Sequence, residues 1–217
     1  MTFKVLATGS TGNCYTLTSA DGEILLLDVG IKFEKILNGI DFKLNDIVGI
    51  CLSHEHKDHS LSADKFKKLG IPIADDIGSY KFGGFKIKTF SLVHDVPCIG
   101  FYINHAEMGN LIYITDTEYC KYRFQNINHI LVECNYDASL LGHDHPAKNH
   151  ILTGHMELQT VKNFVWANRN DNLKTVLLCH MSRTNLDFEK ALETIRQIFP
   201  DTQMVYEGME VEVKTYQ

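Results

Sequence analysis

Apolar and polar residues alternate in short runs along the whole chain, and nearly every run stops at Gly, Asn, Asp or His. Phe3-Lys4-Val5-Leu6-Ala7 has the period of a half-buried strand, and Gly9-Ser10-Thr11-Gly12-Asn13 has the composition of a turn. Tyr15–Thr18 and Glu23–Asp28 predict two more strands, an antiparallel meander turning at Ala20-Asp21-Gly22. A short helix is expected over Ile31–Leu37, ended by Asn38-Gly39. A buried strand follows over Ile47–Leu52, then an amphipathic helix over Leu61–Leu69 closed by Gly70. The second half predicts strands over Phe85–Val93, Ile99–Ile103, Leu111–Thr115, Ile130–Cys134, Thr175–Cys179 and Val211–Tyr216, with helices over Leu158–Trp166 and Phe188–Phe199. Gly142–Asn149 is the one long irregular stretch. Strands alternating with helices after an antiparallel start predict an α/β (α+β) architecture, two sheets with helices on their outer faces. No repeat, low-complexity tract or linker interrupts the series, so residues 1–217 are expected to form a single domain.

Composition changes this picture little. A chain of 217 residues can bury about 70% of its unfolded surface and needs no disulfide scaffold. The six cysteines are scattered singly, without a C-x-x-C pair, and read as reduced, mostly buried side chains; Cys51, Cys134 and Cys179 lie inside apolar runs. No apolar run approaches the roughly 20 residues of a membrane span, and Met1–Val5 does not begin a secretory signal. A cytoplasmic protein with no membrane partner is expected. The net charge of −6 lacks the basic footprint of a protein that coats nucleic acid by electrostatics alone. Two bound divalent cations would bring it to about −2 and concentrate positive charge where chemistry occurs.

The eleven histidines carry the chemistry. Ser53-His54-Glu55-His56-Lys57-Asp58-His59 directly follows a predicted buried strand. His54 and His56, two residues apart, can point the same way from extended backbone, and Asp58 and His59 face a neighbouring position after the chain turns. Other candidate ligands stand at other strand ends: His94 after Phe90-Ser91-Leu92-Val93, Asp116 after Leu111–Thr115, and His180 after Val176-Leu177-Leu178-Cys179. Together they fit two metals along one sheet edge: His54, His56 and His94 for the first, Asp58, His59 and His180 for the second, with Asp116 bridging. Nitrogen and oxygen donors without thiolate suit two divalent ions, Zn²⁺ first and Mn²⁺ or Fe²⁺ as alternatives. His143-Asp144-His145 with His150 reads as an exposed loop, although it could also bind metal, and His105 and His129 read as surface residues.

The spacing His54-x-His56-x-Asp58-His59, followed by His94, Asp116 and His180, resembles the metallo-β-lactamase fold hydrolases over nearly the whole chain. The resemblance implies an αββα sandwich with a dinuclear site at one edge of two mixed sheets. Asp28, in Leu27-Asp28-Val29-Gly30, matches the family's first motif, where the aspartate supports the metal loop without being a ligand. Gly9-Ser10-Thr11-Gly12-Asn13-Cys14, His94-Asp95, Val132-Glu133-Cys134-Asn135-Tyr136-Asp137, Gly154-His155-Met156 and His180-Met181-Ser182 resemble the YycJ/WalJ-like branch, associated with DNA exonuclease activity. The last three also look like the tRNA 3′-processing enzymes, which implies a Glu133–His155 pair aiding the leaving group. The residues alone favour a strand cap for Glu133 and a helix cap for His155 over a catalytic pair. Asn135 and Ser182 are carried as substrate contacts, although Ser182-Arg183-Thr184 also fits an ordinary approach to a helix.

The expected function is therefore metal-dependent hydrolysis of nucleic-acid phosphodiester bonds, DNA favoured over RNA, by hydroxide generated between two metals, with Asp58, Glu133 and His155 catalytic. A homodimer could supply the basic surface a single chain lacks. Alternatives of the same fold stay open: a carbonyl hydrolase (thioesterase, lactonase or glyoxalase II-like), a tRNA 3′-processing-like ribonuclease, or an iron redox enzyme, for which the set has too few carboxylates. A metal-stabilised binding module is the reading outside enzymes.

Overall fold

The alternating N-terminal run forms β1 (Thr2–Ala7), which pairs antiparallel with β2 (Cys14–Thr18), and β2 pairs antiparallel with β3 (Ile24–Leu27). The computed structural model describes residues 1–142 and 148–214. Next come α1 (Phe33–Gly39), β4 (Ile47–Cys51), α2 (Lys57–Ser60), α3 (Ala63–Lys68) and β5 (Ile73–Ala74). The second half holds β6 (Ser79–Phe82), β7 (Phe85–Leu92), β8 (Cys98–His105), β9 (Gly109–Ile114) and β10 (His129–Glu133). It closes with α4 (Lys148–Gly154), α5 (Leu158–Asn168), β11 (Thr175–Cys179), α6 (Phe188–Arg196), β12 (Gln203–Met204) and β13 (Glu210–Glu212).

These strands make two mixed sheets, in the orders β13-β1-β2-β3-β4-β5 and β12-β11-β10-β9-β8-β7-β6. Between them lies the largest core, where Phe3, Tyr15, Leu25 and Leu27 meet Phe85, Phe101, Tyr113 and Leu177. A second cluster joins Ile112, Ile130, Val132 and Val176 to Val161 and Val165 of α5 and to Ala191 and Ile195 of α6. The third packs Ile36 of α1 and Phe66 of α3 against Leu26 and Ile50. The layers run helix, sheet, sheet, helix. Strands covered on both faces need apolar residues at every position, and β3 and β11 are buried throughout. The start of β7 instead alternates: Phe85 and Ile87 are buried while Lys86 and Lys88 are exposed, because its outer face carries no helix.

The sequence pattern missed β5, β6 and β12, pieces of two to four residues at sheet margins where no full hydrophobic period fits. The helix expected over Leu61–Leu69 is α3 alone, with the separate turn α2 formed by the histidine-rich segment before it. Lys148–Gly154 forms α4, although irregular chain was expected as far as Asn149. His143, Asp144, His145 and the end of the expected last strand lie outside the described residues. Two expectations are overturned: His105 and His129 are buried rather than on the surface. The His105 ring packs on Phe85, and His129 Nε2 donates to the Met108 carbonyl at 3.0 Å. All six cysteines are free, five buried and Cys120 half-buried. Among the described residues no helix is long and apolar enough to cross a membrane.

Candidate metal centre

The histidine- and aspartate-bearing segments converge because each begins where a strand ends. β3 is followed by Asp28, β4 by the His54–His59 loop, β7 by His94, β9 by Asp116 and β11 by His180; Glu133 closes β10. Asp28, Asp116 and His180 have φ of 54°, 33° and 47°, a left-handed backbone that residues other than glycine adopt sparingly. Three such residues beside one sheet edge mark backbone held in place by its surroundings, a common feature of functional sites.

The side chains fall into two adjoining groups. In the first, His56 Nδ1 is 3.3 Å from His94 Nε2, and the His54 ring contacts both imidazoles. In the second, Asp58 Oδ2 is 3.5 Å from both His59 Nε2 and His180 Nε2. Asp116 faces both groups: Oδ2 is 3.7 Å from His54 Nε2, while Oδ1 is 3.3 Å from His59 Nε2 and 3.6 Å from His180 Nδ1. Ligands at about 2.1 Å from a tetrahedral ion lie about 3.4 Å from one another, which is the spacing of these donors. His54 Nε2 is buried and has no hydrogen-bond partner among the described residues. Such an orphan is costly, and a cation would satisfy it. The donor set therefore fits divalent metal ions.

Electrostatics divides the imidazoles into two kinds. Burial, followed by the nearby His59 charge, pushes His54 down to about 3, so its ring is neutral and Nε2 offers a lone pair. Burial also lowers His94. At His59 burial is outweighed by Asp116 and Asp28, which hold the imidazole well above its usual range. At His180 it is outweighed by Asp116, Asp58 and Glu133, and the value is pushed up to about 10. Asp58 and Asp116 are held low by those same imidazoles despite desolvation.

Buried residues around the donors fix their orientation. Asp28 accepts hydrogen bonds from Ser53 N (2.8 Å), Ser53 Oγ (2.9 Å), Tyr113 OH (2.5 Å) and His59 Nδ1 (2.7 Å). His94 Nδ1 is bonded to the Gly154 carbonyl at 2.9 Å, which leaves Nε2 for the centre. Glu133 is fully buried; Oε1 accepts from Thr117 N (2.6 Å) and Met156 N (3.1 Å), and Oε2 is 3.1 Å from His155 Nδ1. Burial disfavours a charged His155, but the Glu133 carboxylate and then Asp116 raise its pKa. Asn135 is buried and donates its amide to the His180 carbonyl at 3.0 Å. The Ser182 hydroxyl accepts from the backbone of Thr184 and Asn185 in the following turn.

The structure thus brings together His54, His56, Asp58, His59, His94, Asp116, His180, Glu133 and His155. Asn135 and Ser182 adjoin them through contacts that shape the His180 loop. Sequence reading gave no role to several neighbours. Asn13 Nδ2 is 3.1 Å from His59 Nε2, and Asp95 lies 3.1 Å from His94 Nε2 and 3.3 Å from His150 Nδ1. Asn13 and Asp95 stand in the motifs that carry the resemblance and could have been found there. Tyr113 gives no such signal, being one of several aromatic residues in strands.

Residues 7–74 match the family model described as the metallo-beta-lactamase superfamily. The exodeoxyribonuclease YycJ of Bacillus anthracis is 26% identical to this chain, over 92% of it and 89% of that protein. The exodeoxyribonuclease WalJ of Streptococcus pneumoniae is 27% identical, over 84% and 82%. Among solved structures, the metallo-beta-lactamase fold protein YhfI of Bacillus subtilis superposes with a TM-score of 0.74 at 16% identity, covering 97% of this chain and 98% of its own. The short form of human tRNase Z gives 0.66 at 15% identity, covering 98% and 99%.

Proposed function

We propose that this chain, whose residues 7–74 match the metallo-beta-lactamase superfamily model and which is 26% identical to an exodeoxyribonuclease over 92% of its length, hydrolyses phosphodiester bonds of nucleic acid, DNA in preference to RNA, acting exonucleolytically. His54, His56 and His94 would hold one divalent ion, Asp58, His59 and His180 a second, and Asp116 would bridge them. Zn²⁺ suits this donor set, with Mn²⁺ or Fe²⁺ the alternatives. When bound, such ions supply Lewis acidity, which activates water near neutral pH and stabilises charge on the phosphoryl oxygens.

The chain's own residues do the rest. Asp58 is the one carboxylate of the second group with substantial exposure, 26% of its side chain, and it orients the attacking water. His155 donates a proton to the leaving alkoxide. Its Nδ1 is held by Glu133, which leaves Nε2–H free for that transfer. Glu133 cannot swing away, because two backbone N–H groups pin its other oxygen. His155 stacks on His180 with centroids 5.3 Å apart, at the rim of the second group. General acid catalysis of this kind is worth about 10²–10⁴-fold.

The observation that carries the reading is the buried Glu133–His155 pair beside the donor cluster, because an alkoxide leaving group needs a proton. The names of the relatives favour DNA. The test is cleavage of end-labelled duplex DNA, single-stranded DNA and RNA by metal-loaded protein. Asp58→Ala should fold and lose cleavage. His155→Ala should lose about 10²–10⁴-fold on DNA and far less on a p-nitrophenyl phosphodiester, whose leaving group needs no proton. Intact nucleic acid alongside hydrolysis of an activated ester would replace this reading with a carbonyl hydrolase.

A further inference from the structure

On the outer face of the second sheet, next to edge strand β6, lies a groove of about 700 Å³ lined by Lys86, Lys88, Tyr102, Asn104, Arg123 and Phe124 among others. None of its lining residues is acidic, although the chain carries a net charge of −6. Lys86, Lys88 and Arg123 are exposed and have no ion-pair partner among the described residues. Lysines beside an edge strand also discourage pairing between sheets, and that accounts for Lys86 and Lys88. It does not account for Arg123, which arrives on the separate segment between β9 and β10, nor for the aromatic row beside it.

That row leads back to the metal centre. Phe124 lies 4.9 Å from Phe90 between ring centroids, and Phe90 lies 5.3 Å from Tyr122. The Tyr122 hydroxyl is 3.0 Å from Ser91 Oγ, three residues before His94. Two segments therefore join groove to site: the end of β7 with the residues after it, from Lys88 to His94, and the chain from Asp116 to Arg123. Six residues of extended chain span at most about 20 Å, roughly the length of six nucleotides of a duplex strand. Acidic side chains gather instead in a different cavity, which Ser91 and Leu92 also line. This cavity of about 470 Å³ beside His54 is lined by Glu55, Asp75 and Asp76, and Lys67, its one cation, is paired with Asp75 at 3.1 Å.

We propose that the Lys86–Lys88–Arg123 groove is a docking surface for a nucleic-acid strand, gripping substrate phosphates about six nucleotides from the bond that is cut. This rests on the phosphodiesterase reading above. Cations contact the backbone and the half-buried rings of Tyr102 and Phe124 offer surfaces to unpaired bases, a combination that grips a strand without reading sequence.

The experiment compares wild-type metal-loaded protein with Lys86→Ala/Lys88→Ala/Arg123→Ala on a 20-nucleotide strand and on a small p-nitrophenyl phosphodiester. KM for the long strand should rise about tenfold, and the salt slope of binding should fall by about 2 for single strands. The kcat on the long strand and the rate on the small diester should hold, and Lys86→Arg/Lys88→Arg/Arg123→Lys should restore KM. An unchanged KM and salt slope, with cleavage intact, overturns the docking surface and leaves the nuclease reading standing. If wild type cleaves no nucleic acid, the nuclease reading fails, and fluorescence anisotropy of the labelled strand decides the groove. Binding lost in the triple alanine variant sustains it, and equal or absent binding overturns it.

Discussion

Asp28→Asn isolates the support beneath the metal centre. Asp28 receives four donors on two buried oxygens: Ser53 N on Oδ1, and Ser53 Oγ, Tyr113 OH and His59 Nδ1 on Oδ2. Asparagine has the same shape and tolerates the left-handed φ of 54°, so backbone strain does not confound the result. Its amide presents one oxygen and one NH₂. The less costly orientation keeps the oxygen toward the three side-chain donors and sets NH₂ against Ser53 N–H. One buried backbone donor is then orphaned, at about 1–3 kcal/mol, and the His59 hydrogen bond, kept on a neutral oxygen, loses about 1–1.5 kcal/mol of charge assistance. The metal-free variant should be less stable by about 2–4.5 kcal/mol. Because a neutral amide orients His59 less firmly and no longer raises its basicity, metal affinity should fall about 10–100-fold. Urea unfolding of metal-free protein reads the first quantity, and competition with a chromogenic chelator reads the second. Equal midpoints together with equal metal affinity would refute the assignment of Asp28 as the anchor of this loop.

Three further outcomes are expected. Burial lowers the folded His129 pKa to about 4, against an ordinary 6.5, so its stabilising effect is present above pH 6.5 and is lost as pH falls toward 4. Through this linkage about 3 kcal/mol is at stake, and His129→Gln should flatten the decline in melting temperature between pH 6.5 and 4.5. A methyl group at Gly30 would collide with the Asp58 carbonyl and the His59 amide, where neither backbone can yield. Gly30→Ala should cost more than about 3 kcal/mol and abolish metal binding in calorimetry. His59 and His180 hold protons in the metal-free protein at neutral pH, so metal binding should release about two protons and tighten as pH rises. Titration calorimetry in buffers of different ionisation enthalpy counts them, and zero release would contradict the assignment of both rings.

Local sequence determined the elements and the positions of the chemistry. Thr175–Cys179 is apolar at each central position and forms β11 over those residues; Ala20-Asp21-Gly22 turns β2 into β3, with Gly22 at φ 89°. The histidines and aspartates fall immediately after such runs, which places them at strand ends before any tertiary contact is known. Convergence was another matter. His56 meets His94 across 38 residues and His180 meets Asp58 across 122, distances closed only by strand pairing and by packing of the two sheets. The burial of His105 and His129 was likewise invisible, since a histidine beside polar neighbours carries no local sign of what covers it. Only the assembled structure gave Glu133 its two backbone donors, brought Tyr113 to Asp28 and set Arg123 beside Lys86 and Lys88. Hydrophobic period specifies which face of an element is buried; the partner met there depends on sheet order and register, which segments distant in the chain set together.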